Sequence, residues 1–243
     1  MCGFAGTINL NGLDPNKNME KKMQDALERL YPRGPDQQGK WVDDKAYFVH
    51  ARLSIIDTSN GGKQPMKKYN RVLVYNGEIY NFKELRKKLI DHGYAFGSSS
   101  DCEVLLAGWD KWGDHFLSLI NGMYAFAIWD TDKKKLTLVR DPYGKKPLLY
   151  SVKNSEISFA SDLKSLEKII SCGEVNTEAV ESLFRFRFIR DPLTIYSNVK
   201  KLPAGSIIEF DIKGFKARKW YALPIKKSLH LNKQEIYPKL TEL

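Results

Sequence analysis

A cysteine stands directly behind the initiator methionine in MCGFAG, and the chemistry open to it depends on what happens to Met1. A thiol with an ordinary pKa near 8.5 is mostly protonated at neutral pH and needs a base before it can attack. If Met1 is removed, the new α-amino group of Cys2, with a pKa of about 7.7–8, sits on the same residue and can serve as that base. Gly3 would leave room for a substrate carbonyl to approach. Taken alone, a cysteine at position 2 can equally be an accident of sequence, although a myristoyl acceptor is ruled out because that chemistry needs glycine there. VYNGEIYN supplies what an attacked carbonyl would require. Its developing oxyanion needs preorganised donors. Asn76 can offer a side-chain N–H, and Gly77 a backbone N–H from a turn that only a small residue allows. The competing reading is a plain Asn-Gly hairpin turn. Arg52, at the end of the strand-like HARLSIIDT, carries a fork suited to a carboxylate, and Asp101 can pair with an ammonium group. Each can be a surface residue or a cap. Together they specify an amino-acid ligand whose side-chain amide lies within reach of Cys2 and Asn76.

The elements that would have to carry these residues follow from periodicity. Met19, Met23, Ala26, Leu27 and Leu30 recur at helical spacing and predict an amphipathic helix ending before Pro32. A second helix is expected from Asn81, with Glu84 as a capping-box partner, Phe82, Leu85 and Leu89 on one face, and Gly93 as its stop. A third starts at Ser100, where Ser100 and Glu103 form an S-x-x-E box and Asp101 falls in the first turn, beside the positive end of the helix dipole. KAYFVHARLSII, RVLVYNGEI, AFAIWD, KLTLVRD, LLYSVK and EISFASD read as strands. TDKK and KNSE are hairpin-length connections, so the sheets should be largely antiparallel. Strands and helices come in blocks, which argues for an α+β fold over a doubly wound one. A weak boundary is expected after about residue 210, beyond which the chain is lysine-rich. Its last stretch, NKQEIYPKLTEL, reads as the opening of a helix.

The bulk properties set outer limits. At 243 residues the chain can form one large domain or two small ones. Hydrophobic residues are 42% and charged residues 28%, ordinary for a folded soluble protein. No apolar run approaches the roughly 20 residues that cross a bilayer, and no secretory signal is readable at the N-terminus. Cys2, Cys102 and Cys172 show neither metal spacing nor a paired framework, which fits a reduced, cytoplasmic setting. Cys102 falls inside a helix pattern and reads as a small core residue. His50, His92, His115 and His230 show no ligand spacing, so no metal is expected. The net charge of +10 raises nucleic acid as a partner, but the lysines and arginines are scattered and form no aromatic-interleaved stripe. A solvated basic surface is the preferred reading, with no nucleic-acid and no membrane partner. Gly61–Lys63 lacks the spacing of a phosphate loop. FRFRFIR, residues 184–190, alternates like an exposed strand but can also be a docking surface.

MCGFAG, RGPD, ARLSIID, GGKQPM, YNGEIYN, SDCEVLL, NGMYAFAIWD, RDPYGKKPL and KLPAGS occur in an order that resembles class II glutamine amidotransferases. More narrowly, the chain is similar to the glutaminase domain of asparagine synthetases over roughly residues 2 to 210. That resemblance implies a four-layer αββα sandwich of two antiparallel sheets, of the N-terminal nucleophile hydrolase type. It implies that Cys2 attacks the glutamine side-chain amide to give a glutamyl thioester and ammonia, its own α-amine shuttling the proton before water frees glutamate. Asn76 and Gly77 match the family's oxyanion hole, Arg52 its clamp on the α-carboxylate, and Asp101 its contact to the α-amino group. Leu53, Ser54, Ile55, Ile56 and Glu78 fall on segments lining its glutamine pocket. RGPD and RDPYGKKPL shape the site and the domain interface and receive no chemical step. Pro32 replaces a histidine frequent before RGPD, and Lys145 an apolar residue, which hints at a branch outside the housekeeping synthetases.

On this reading residues 1–210 are the glutaminase domain, and 211–243 a linker with the start of a synthetase domain. No cofactor is expected in this chain. ATP and magnesium would belong to the synthetase domain, the expected covalent partner, because no SGGxDS-type loop occurs in these residues. The chain thus reads as one part of a longer protein or as a shortened gene product, and a homodimer is possible. The ammonia acceptor is expected to be aspartate, with a sugar uronic acid in surface-polysaccharide assembly as the alternative. Two further alternatives are an unrelated N-terminal nucleophile hydrolase and a catalytically silent glutamine-binding module that keeps Met1.

Overall fold

The computed structural model describes residues 1–14, 18–224 and 236–238. Its β-branched and aromatic runs pair into two antiparallel sheets. The first has the order β10 (Lys200–Lys201), β8 (Leu149–Lys153), β9 (Glu156–Ala160), β1 (Gly3–Asn9), β3 (Ala46–Arg52) and β2 (Gln37–Val42). The second runs β12 (Gly214–Lys219), β11 (Ser206–Asp211), β7 (Lys135–Arg140), β6 (Gly122–Asp130), β5 (Arg71–Ile79) and β4 (Met66–Lys68). No helix among the described residues is long and apolar enough to cross a membrane.

Alternation along the strands sorts side chains into layers. Phe4, Ile8, Ala46, Phe48 and Phe159 of the first sheet meet Val72, Val74, Ala127, Trp129 and Leu138 of the second in the central core. The other face of the first sheet, with Ala5, Tyr47, Val49 and Ala51, packs on α1 (Met19–Leu30) and α4 (Leu163–Ile169). The other face of the second, with Leu73, Tyr75, Phe126 and Ile128, packs on α2 (Phe82–Asp91) and α3 (Asp101–Trp112). The result is the four-layer αββα sandwich. Coverage on both faces explains why β3 is buried at every position instead of alternating with solvent.

Several local expectations are refined. The α1 stripe is as spaced in the sequence, and Gly93 ends α2 with a positive φ of 85°. Asn81 is the N-cap of α2 but its side chain makes no cap bond; it ties Leu119 O and Asn121 N to the helix start instead. Ser100 caps α3 through Cys102 N, whereas Glu103 turns away to Gly97 N, Ser98 and Lys68, so the capping box is only half formed. Asn76-Gly77 is not a turn. Both lie inside β5, where a Cβ on Gly77 would stand 2.3 Å from Met123 O, so glycine is demanded by close approach of the neighbouring strand.

FRFRFIR is not a strand. Phe184–Phe186 close α5 (Thr177–Phe186), and Arg187 ends it at φ 62°. The boundary expected after 210 falls inside the β11–β12 hairpin, because Ser206 to Asp211 pair with Lys219 to Gly214 and extend the sheet. Of residues 232–243, only 236–238 are described, and they are helical.

Candidate active site

At one end of the sandwich the apolar rows that face the central core continue into polar residues. In β1 the inward row of Ile8 and Phe4 continues to Cys2; in β3, Ala46 and Phe48 give way to His50 and Arg52; in β5, Val72 and Val74 give way to Asn76. Strand alternation alone therefore aims a thiol, a guanidinium and an amide into one small cavity. Cys2, Arg52, Leu53, Ile55, Ile56, Asn76, Gly77, Glu78 and Asp101 all line it. Of the residues expected there, only Ser54 is not on the lining. Its N–H is held by Asp36 of RGPD at 2.7 Å.

The Cys2 thiol lies between the Leu53 N–H at 3.4 Å and the Leu53 carbonyl at 3.5 Å. Burial pushes its pKa up, partly offset by the Leu53 bond and by the positive N-terminus and Arg52. A thiol so placed will not ionise unaided, which makes a nearby base a requirement. Arg33, assigned no chemical step, anchors the nucleophile by donating from Nε to Cys2 O at 3.1 Å.

Two donors face the cavity. Asn76 Nδ2 is buried and has no hydrogen-bond partner among the described residues. The second is the Gly77 N–H. Antiparallel pairing turns the N–H groups of alternate residues to the same side of a strand. Tyr75 N–H and Ile79 N–H both point away from β6, to Gln64 Oε1 at 2.6 Å and Asp101 Oδ2 at 3.2 Å. Gly77, between them and opposite Tyr124, therefore presents its N–H on the same open edge. A buried amide without an acceptor is costly, and two pointing at one spot are what a transient oxyanion would need.

The ligand-end residues differ from each other. Asp101 sits in the first turn of α3, its Oδ2 taken by the Tyr75 hydroxyl at 2.8 Å and by Ile79 N–H. Oδ1 receives the Cys102 thiol at 3.9 Å, and the backbone N–H groups of Asp101 and Cys102 also support the carboxylate, which lines the cavity. Burial raises the Asp101 carboxyl above its ordinary value, opposed by those bonds. Arg52 is more committed than a free clamp. Nη1 donates to Gln37 Oε1 (3.2 Å) and Ser59 O (2.7 Å), and Nη2 to Ile56 O (3.2 Å) and Asp57 O. Its fork shapes the 56–59 turn, and Gly62 packs on it so closely that a Cβ would lie 2.0 Å from Nη2. A ligand carboxylate would have to use the remaining Nε–H or displace a carbonyl.

Sequence reasoning missed Gln64, Tyr75, Ser100, Cys102 and Lys146 on the lining. Cys102 is buried as expected, yet at the cavity wall. Lys146 Nζ reaches Met1 Sδ at 3.4 Å. His50, which showed no ligand spacing, bridges the two sheets from Nε2 to Tyr75 O at 3.1 Å, and burial lowers its pKa to about 4.

Comparison with known proteins agrees with this geometry. A family model described as "Glutamine amidotransferase domain" matches residues 1–221. "Asparagine synthetase [glutamine-hydrolyzing] 1" of Bacillus subtilis is 39% identical over 208 residues, covering 85% of this chain and 33% of that protein. A putative asparagine synthetase 2 of Methanocaldococcus jannaschii is 34% identical over 261 residues, covering 97% of this chain and 49% of that protein. The chain thus spans between a third and a half of these two relatives. Among solved structures, the glutamine phosphoribosylpyrophosphate amidotransferase of B. subtilis shares the fold, with a TM-score of 0.66 at 18% identity over 93% of this chain and 50% of that one. With its N-terminal thiol, its paired donors and its family match over nearly all of the described residues, the chain belongs to the glutamine amidotransferase domain family.

Proposed function

We propose that this domain hydrolyses glutamine to glutamate and ammonia through a thioester on Cys2. The observation that carries the proposal is the convergence of Cys2 Sγ, the unpartnered Asn76 Nδ2 and the open Gly77 N–H on one cavity that also holds Asp101 and Arg52. Glutamine would enter with its ammonium group toward Asp101 Oδ1 and its carboxylate toward Arg52. Once Met1 is removed, the α-amine of Cys2 takes the thiol proton as sulfur attacks the amide carbon. The C–S bond forms while the carbonyl π pair moves onto oxygen, where Asn76 and Gly77 stabilise it. Collapse breaks the C–N bond, the α-ammonium returns the proton to the leaving nitrogen, and ammonia departs. Water activated by the same amine then releases glutamate.

The released ammonia is proposed to serve an ATP-dependent amidation of aspartate in a linked synthetase domain, after the named activity of the relatives. Turnover of aspartate by the longer protein tests this, and turnover of a sugar uronic acid instead would replace it. For the domain itself, glutamate release from glutamine is the assay. Activity in the parent and none with Cys2→Ala is expected. A Cys2→Ala chain as active as its parent would sink the nucleophile assignment. Intact mass should show Met1 absent from the active species.

A further inference from the structure

Among the polar residues of the cavity, Gln64 has no part in the chemistry above, yet it is 3% exposed and bonded at both ends of its amide. β4 pairs with β5 at Lys68↔Arg71, Lys67↔Val72 and Met66↔Leu73. Continuing that register would bring residue 65 opposite 74 and 64 opposite 75. The ladder ends at Met66↔Leu73, one residue short of Pro65. Gln64 meets Tyr75 with its side chain instead, Oε1 accepting the Tyr75 N–H at 2.6 Å while Nε2 donates to Cys102 Sγ at 3.2 Å. His50 Nε2–H donates to the Tyr75 carbonyl at 3.1 Å. Both backbone groups of Tyr75 are therefore satisfied without a neighbouring strand.

Spacing is the consequence. A continued main-chain ladder would cover the β5 edge and consume the Gly77 N–H. A side chain spanning the gap holds Tyr75 in place while keeping the next backbone at a distance. The spacer is itself fixed on the far side, since a Cβ on Gly39 of β2 would lie 2.0 Å from Gln64 O. Resting on the glutaminase reading, we propose that Gln64 is a positioning residue: it stands in for a missing strand and thereby keeps the Asn76–Gly77 donors open and aimed at the oxyanion. It touches no reacting atom and acts through Tyr75, the residue adjacent to Asn76.

The test uses Gln64→Met, which keeps the length of the stem and removes the acceptor, in the same 243-residue chain. Active sites are counted by covalent titration with an electrophilic glutamine analogue, and glutamate γ-semialdehyde, which forms a thiohemiacetal with an oxyanion-like oxygen, serves as the probe. We expect kcat per titrated site to fall about tenfold to hundredfold, the scale seen when an oxyanion donor is lost or misplaced. KM should stay within about threefold, aldehyde affinity should fall by the same factor as kcat, and glutamate affinity should hold. Parent values of kcat per site and aldehyde affinity would overturn the inference, as would a loss confined to the number of titratable sites. Should Gln64→Met not fold, Gln64→Asn, which keeps the amide but draws it back from the Tyr75 N–H by one methylene, carries the test with the same expected losses, and parent values of kcat per site and aldehyde affinity in that variant would overturn the inference. A parent chain that neither hydrolyses glutamine nor binds the aldehyde would overturn the glutaminase reading itself.

Discussion

α1 and α3 are both 12-residue helices, each laid on the outer face of one sheet, and they do opposite work. α1 buries a single stripe, Met19, Met23, Ala26, Leu27 and Leu30, and leaves its other sides to water. α3 buries every residue from Asp101 to Gly108, including two carboxylates in its first turn. The difference lies in what each helix start faces. α1 begins at Asn18, which makes no side-chain cap bond; its buried stripe is wholly apolar, and its polar bonds, Glu20 to Tyr47 and Lys40 and Lys22 to Ile169 O, are made by residues outside that stripe. α3 begins at a cavity, and its two buried carboxylates are tolerable because donors meet each of them, Tyr75 and Ile79 at Asp101 on the cavity wall and Gly97, Ser98 and Lys68 at Glu103 behind it. One helix is scaffold. The other brings charge into the site and relies on its neighbours to hold it there.

Substitutions can break this contrast. Asp101→Asn should give the largest effect, lowering kcat/KM for glutamine at least about hundredfold, the order expected when a buried charged partner is lost (roughly 3 kcal/mol or more). Steady-state kinetics beside a thermal melt checks it, and an unchanged kcat/KM would remove Asp101 from ligand binding. Leu27→Ala on α1 should do the reverse, costing about 2–5 kcal/mol of stability by leaving a cavity while kcat per folded chain holds. Denaturant unfolding read against activity separates the two.

A pH titration sharpens the comparison at the bridge between the sheets. His50 is held neutral, its pKa lowered to about 4 by burial, against an unfolded value near 6.5. The unfolded chain therefore binds the proton first as pH falls. Stability should decline between about pH 6.5 and 4, by roughly 3 kcal/mol in total, and His50→Gln should flatten that part of the profile. Chemical denaturation at stepped pH would show it.

Glu103→Gln is the smallest of these. Burial works to raise this carboxyl, but the bonds from Lys68, Gly97 and Ser98 together leave it lowered. Its contribution is present above its unfolded pKa and lost as pH falls through the lower folded one. Neutralising it at pH 7 should cost about 1–3 kcal/mol, within the range for hydrogen bonds to a charged group, and leave KM nearly unchanged.

Legibility followed the range of the interactions. The α1 stripe and the Asp101 position in a first turn depend on neighbours three or four residues away and the β5 run on adjacent ones, and the sequence carries those patterns directly. Asn76-Gly77 looked like a turn because local propensity favours one; β6 and its close backbone overrode that with a strand. FRFRFIR alternates over a distance too short to distinguish a strand from the last turn of a helix with exposed phenylalanines. The internal bonds of the Arg52 fork were not legible for another reason. Nothing in ARLSIIDT shows that the carbonyls of residues 56, 57 and 59 fold back onto the guanidinium.

By itself, then, the sequence determined which residues could act: a thiol at position 2, an amide and a glycine in series, a cation and an anion on separate segments, and the alternations that set which way each strand faces. Tertiary structure alone decided how they act together. Cys2 and Asn76 are 74 positions apart in the numbering, and only the packing of two sheets places their inward rows against one cavity. The open edge at Gly77 exists because β4 ends at Met66 and a side chain from Gln64 takes over from there. Whether a backbone N–H is left free depends on what lies across the gap, and no local pattern records that.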